Sequence, residues 1–220
     1  MMEMNSTSLR RVKHSYTSGA RSIASRSVTR LARTRVTPNV LTAAGVSLCL
    51  AAAVLVPFAD RTNPWLVYWL AAGIFVVGSL LDILDGALAR VGGKSTPFGA
   101  FIDSTTDRVG EGAMLAAIAL VFARHGNEWA VVVAVAAVVG SFLVSYTRAR
   151  AEALGLKGDV GLGSRAERVV LITAGLVFAP WGGLPWAILV LAATAWLTVV
   201  QRVLHVRKQL SGGTSGSEQR

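Results

Sequence analysis

The chain reads as long apolar stretches broken by short polar ones. Runs of about twenty apolar residues, enough to cross a ~30 Å hydrocarbon layer, cover positions 39–57, 65–90, 96–123, 128–150, 165–180 and 184–207. Lipid offers no partner to a lone strand's N–H and C=O groups, so each stretch is predicted to be a helix. The expected fold is therefore an all-α integral membrane protein with six transmembrane helices. Ahead of the first span, residues 16–35 set Ile23, Val28 and Leu31 among many arginines. That pattern predicts an amphipathic juxtamembrane helix on the membrane surface; a signal peptide would need a compact apolar core.

Composition agrees with the pattern: 53% of the 220 residues are hydrophobic, and the mean hydropathy is +0.53, well above what a soluble domain needs. Three segments follow, with 1–38 a basic arm carrying the surface helix, 39–208 the helical domain, and 209–220 a flexible, low-complexity tail.

Charge sets an orientation. Eight Lys or Arg precede Pro38, five fall between Arg148 and Arg168, and four lie from Gln201 onward, whereas the alternate connections carry only Arg61 and Arg124. By the positive-inside rule both termini and the basic loops face the cytoplasm of a multi-pass plasma-membrane protein. A net charge of +10 without interleaved aromatics along the basic stretches argues against nucleic acid and for lipid headgroups or phosphorylated substrates. The single cysteine, Cys49, lies within a span and excludes a disulfide framework.

Against this background the acidic residues are informative. Four of twelve, Asp82, Asp85, Asp103 and Asp107, fall within 26 positions of an apolar region. Asp82, Asp85, Gly86, Ala89 and Arg90 share one helical face, and Asp103 and Asp107 share another. The intervening VGGKSTP can turn the chain, so that the two faces converge. An aspartate in a membrane helix costs on the order of 3 kcal/mol, and four together repel unless cations sit among them. Oxygen donors without His or Cys select Mg²⁺ or Mn²⁺ over zinc, which suggests one or two ions and phosphoryl transfer. A buried salt bridge to Arg90 or Arg108 would account for two of the four aspartates only.

Asp82, Asp85, Gly86, Ala89, Arg90, Gly99, Asp103 and Asp107 read D-x2-D-G-x2-A-R-x8-G-x3-D-x3-D. This pattern resembles the signature of the CDP-alcohol phosphotransferases at every fixed position. The resemblance implies attack of an alcohol hydroxyl on the β-phosphorus of a CDP-linked lipid, with release of CMP. It makes Asp82, Asp85, Asp103 and Asp107 ligands to two divalent ions, and Asp107 also the general base. It places the CDP-lipid near Asn39, Val40, Leu41, Thr42, Gly86, Arg90 and Thr96, and it implies a homodimer. On the residues alone, TPNVLT at 37–42 reads as a helix start with Thr37 as N-cap and Pro38 in the first turn.

A second stretch, SYTRARAEALGLKGDVGLGSRAER, and the later pair Gln201–Arg202 gather Arg148, Arg150, Arg165, Arg168 and Arg202. Charge asymmetry explains their sign; their placement just inside spans suggests capture of a phosphorylated polyol acceptor. The stretch resembles the actinobacterial branch that makes phosphatidylinositol phosphate, which implies inositol 1-phosphate as acceptor and CDP-diacylglycerol as donor. Glycerol 3-phosphate, as in phosphatidylglycerophosphate synthesis, and an archaeal CDP-archaeol donor are the alternatives within the family. Outside it, a carboxylate-lined divalent-cation transporter would need acids along a path through the later spans, which have none at mid-depth.

Overall fold

The computed structural model describes residues 37–91, 96–161 and 163–214; the expected surface helix lies outside them. Six long helices run through the described residues: α1 (Pro38–Leu55), α2 (Pro64–Val91), α3 (Pro97–Arg124), α4 (Glu128–Ala153), α5 (Arg165–Val177) and α6 (Leu184–Thr214). Short 3₁₀ turns at Val56–Arg61 and Ala179–Trp181 follow α1 and α5. No strand occurs among the described residues.

Their starts are written in local chemistry. Asn63 accepts from Trp65 and Leu66 N–H ahead of α2, Thr96 accepts from Gly99 N–H at 2.9 Å, and Asn127 accepts from Ala130 N–H. At α5, Ser164 and Glu167 form a reciprocal capping box. Each side chain satisfies a donor that the first turn leaves orphaned.

Neighbour contacts close the helices into a ring in the order α1, α2, α5, α6, α4, α3. The α2–α3 hairpin hardly touches itself directly, because α1 packs against both members. Small residues allow this. A Cβ on Gly78 would sit 2.8 Å from the Gly45 carbonyl oxygen, and one on Gly110 would sit 3.0 Å from Cys49 Cβ. Backbones meeting this closely gain dispersion that bulkier side chains would forbid. Inside, Phe75, Met114, Leu115, Ile118, Ile172, Leu176, Ile188 and Leu191 are fully buried against a run of alanines on α4.

Outside, Val54, Leu66, Leu70, Val77, Leu80, Val132, Val135, Val190 and Leu197 are exposed, a surface suited to lipid and not to water. Four segments are long and apolar enough to cross a membrane unaided: Asn39–Arg61, Pro64–Gly86, Glu128–Ala153 and Leu184–Ser211. The other two helices differ for physical reasons. α3 carries Asp103, Asp107, Arg108 and Glu111, and α5 is only 13 residues long. At one end of the bundle Trp65, Trp69, Trp181 and Phe178 form an aromatic cluster, with Trp65 edge-to-face on Trp69 and Trp181, and Trp129 meets Trp186. The aspartates and the arginines of α4 to α6 belong to the opposite end.

Candidate metal and phosphoryl-transfer site

Asp82 and Asp85 are buried on the C-terminal half of α2, and Asp103 and Asp107 lie in the first three turns of α3. One carboxylate oxygen from each of Asp82, Asp85 and Asp103 falls within 4.8 Å of the others. Three of the four expected ligands therefore converge. Asp85 accepts from the Thr42 hydroxyl through one oxygen, while its Oδ1 is buried without a hydrogen-bond partner. An unpartnered carboxylate oxygen beside two more carboxylates is a donor set for a hard divalent cation, and no histidine or cysteine belongs to it.

Asp107 joins the group through an arginine. Arg165, at the first position of α5, donates to Asp82 through Nη1 and lies 2.7 Å from Asp107 Oδ1 through Nη2. An ion pair between residues so far apart in sequence fixes α5 against both acidic helices. Of the partners considered for Asp82 or Asp85 from sequence, only Arg108 can be placed. The Arg90 side chain lies outside the described residues, and Arg108 donates to the Ser104 carbonyl.

Of the residues expected to meet the CDP-lipid, Asn39 and Val40 are exposed at the start of α1, whereas Leu41 and Thr42 are buried. Thr42 touches Asp85 itself, so the TPNVLT stretch and the acidic face form one surface. Gly86 opens onto free space, with nothing within 4 Å of an added Cβ. The Thr96 hydroxyl is committed to its N-cap bond.

The five arginines divide into three kinds. Arg148 and Arg150 are exposed near the end of α4, and Arg148 pairs with Glu152 at 2.8 Å. Arg165 serves the aspartates. Arg168 and Arg202 are buried and already engaged. Arg168 makes a bidentate pair with Glu111 at 2.7 and 2.9 Å and donates to the Gly163 carbonyl at 2.7 Å. Arg202 donates to the Val160 carbonyl at 2.8 Å and to the Val144 carbonyl. Both thereby hold the loop that leads into α5, and Thr198 completes the hold by accepting from Gly163 N–H at 2.8 Å.

Sequence reading missed Glu111 and Thr198. A signal for Glu111 existed: it stands one turn beyond Asp107 in an apolar helix, where a lone carboxylate is too costly to lack a partner. For Thr198 there was none, since a threonine in a membrane helix also bonds to its own backbone, as this one does with Thr194.

From Arg165 a groove of about 720 Å³ runs between α2 and α5, lined by Leu80, Ile83, Val170, Val177 and Phe178. It is mostly apolar, and Arg165 on its wall is the residue that joins it to the Asp82 and Asp107 carboxylates.

Comparison with known proteins shows the family and the fold. The family model for CDP-alcohol phosphatidyltransferase matches residues 35–206. The phosphatidylinositol phosphate synthase of Mycolicibacterium smegmatis is 40% identical over 183 residues, covering 80% of this chain and 79% of that one. The crystal structure of the Mycobacterium tuberculosis phosphatidylinositol phosphate synthase with CDP-DAG bound superposes with a TM-score of 0.73 at 30% identity, covering 84% of this chain and 94% of that one. The same enzyme in complex with manganese and citrate gives a TM-score of 0.73 at 31% identity, over 83% and 88% of the two chains.

Proposed function

Because the chain belongs to the CDP-alcohol phosphatidyltransferase family, we propose that it moves a phosphatidyl group from CDP-diacylglycerol to a hydroxyl of inositol 1-phosphate, giving phosphatidylinositol phosphate and CMP. The observation that carries this reading is the meeting of Asp82, Asp85 and Asp103 oxygens within 4.8 Å, beside an apolar groove. A carboxylate cluster beside a lipid-sized groove suits a donor that joins a pyrophosphate to two acyl tails. The relatives whose names specify the same product and whose structures hold CDP-DAG or manganese support the donor, the acceptor and a divalent ion.

In this reading Asp82, Asp85, Asp103 and Asp107 hold two Mg²⁺ or Mn²⁺ ions. When bound, such ions offset the charge of the pyrophosphate and of the departing CMP. Asp107 accepts the proton of the acceptor hydroxyl; the oxygen then forms its bond to the β-phosphorus as the phosphorus–oxygen bond to CMP breaks. Arg165, 2.7 Å from Asp107 Oδ1, orients that carboxylate and presents positive charge where the acceptor's own phosphate enters. Arg148 and Arg150 attract the acceptor from solution, and the engaged Arg168 and Arg202 shape the wall behind it. On the donor side, Asn39, Val40, Leu41, Thr42, Gly86, Arg90 and Thr96 receive the nucleotide, with acyl chains in the α2–α5 groove.

All six helices cross the bilayer, with the arginine-rich end and both termini in the cytoplasm of a plasma-membrane protein. The tryptophans at the other end suit the opposite membrane–water interface and so support the crossing, while the arginines set its direction. A homodimer is favoured by the exposed stripe Phe98, Phe101, Val109 and Leu120 on α3. The deciding assay supplies the purified protein with CDP-diacylglycerol and Mg²⁺ and compares CMP release with inositol 1-phosphate, glycerol 3-phosphate, free inositol and serine. Inositol 1-phosphate should be preferred. Preference for glycerol 3-phosphate would replace the acceptor, and no CMP with any alcohol would remove the reaction.

A further inference from the structure

Arg165 gives the acidic cluster a positive charge of its own. Its guanidinium reaches Asp82 through Nη1 and Asp107 through Nη2, so one fork bridges α2 and α3 from the start of α5. Asp85 has no such partner among the described residues: one of its oxygens meets the neutral Thr42 hydroxyl and the other meets no donor. The cluster therefore has two unequal edges. Oxygens of Asp82, Asp85 and Asp103 converge within 4.8 Å, a donor set that Arg165 bonds at one member. A cation shared by Asp107 and Asp82 meets Arg165 on both.

Like charges on one carboxylate repel, strongly enough at close range to change an affinity many-fold. A guanidinium cannot yield by losing its proton; it yields by moving. Arg165 is placed to move. Its side chain is 28% exposed, whereas Arg168, gripped by Glu111, is 4% exposed. Arg165 also lines the α2–α5 groove, which gives a displaced guanidinium somewhere to go. Meanwhile the capping box of Ser164 and Glu167 holds the start of α5 through groups other than the Arg165 side chain.

Resting on the metal-dependent reading above, we propose that Arg165 is a resident counter-ion that competes with divalent cations at the Asp82–Asp107 edge, so that the cluster fills unequally. Asp82, Asp85 and Asp103 take a first ion tightly, and Asp107 joins in holding a second only as the Arg165 side chain swings aside. The charge of Arg165 thus sets the cation concentration at which the site is complete.

The test titrates the full chain in detergent with Mn²⁺ alone, at fixed pH and ionic strength, and reads bound ions from the loss of the free-ion electron paramagnetic resonance signal. Wild type should show two classes of site, the second at least about tenfold weaker. In Arg165→Gln the second class should tighten by about tenfold or more, drawing the two together. Arg165→Lys keeps the charge but not the fork that reaches both carboxylates, so its second ion should bind with intermediate affinity. Saturating Mn²⁺ should also raise the melting temperature of Arg165→Gln by roughly 3–5 °C more than that of wild type. Asp85→Asn separates the proposal from the reading beneath it: if that variant binds Mn²⁺ as wild type does, the acidic cluster is not the metal site and both fall. Two equal sites in wild type, or a second ion held no more tightly by Arg165→Gln, overturn the proposal alone. Should Arg165→Gln not fold, an Arg165→Lys protein with the wild-type gap between its two sites overturns it as well.

Discussion

Replacing Glu111 by glutamine should destabilise the bundle far more than its size suggests. The carboxylate meets Arg168 through two parallel bonds, 2.7 and 2.9 Å, and the two side chains are 6% and 4% exposed. Glutamine keeps the shape but removes the charge and turns one acceptor into a donor facing a guanidinium. Arg168 is left as a buried cation with two neutral carbonyl oxygens, of the glutamine and of Gly163, and no counter-charge, a situation that costs about 3–5 kcal/mol. For a chain of this length, at ~2–4 °C per kcal/mol, the melting temperature in detergent should fall by roughly 10 °C. Thermal unfolding followed by circular dichroism measures the shift, and the pair Glu111→Leu/Arg168→Met separates causes. If the loss comes from an uncompensated charge, removing both partners restores most of the stability, since apolar replacements of buried pairs are often neutral or stabilising. A Glu111→Gln protein melting within a degree or two of wild type, or a double variant worse than the sum of the single ones, would refute the reasoning.

Two further outcomes follow from the same geometry. Asp107→Asn should leave a folded protein whose CMP release falls by at least about a hundredfold, the usual cost of a lost general base; near-normal turnover would remove Asp107 from that role. Gly78→Ala, whose Cβ would lie 2.8 Å from the Gly45 carbonyl oxygen and 2.9 Å from Cys49 Sγ, should cost about 1–3 kcal/mol through forced separation of α1 and α2, read as a lower melting temperature.

The aspartates were legible because period and burial are both written locally: residues three and four apart share a face whatever lies beside it, and charge in an apolar run demands a reason. Helix existence was legible for the same kind of cause. Ring order was not, since apolar helices present similar side chains to lipid and to one another, and the small residues that seat α1 against both α2 and α3 are scattered glycines in sequence. The engagements of Arg168 and Arg202 were illegible for a different reason. Three of their four partners are backbone carbonyls, of Gly163, Val160 and Val144, which carry no side-chain identity to read. Arg165 illustrates the middle case: its type suggested an anion partner, and only the fold shows that Asp82 and Asp107 occupy it in place of a phosphate alone.

The contact of Thr42 with Asp85 and that of Arg165 with Asp82 also set a timetable. As the chain leaves the ribosome, Asp85 finds its hydroxyl partner when the first two helices meet. Asp82 must wait for more than eighty further residues before its guanidinium arrives. Throughout that interval the Asp82 carboxylate lacks its native counter-charge, so α5 is the element whose arrival balances the charge of the acidic face.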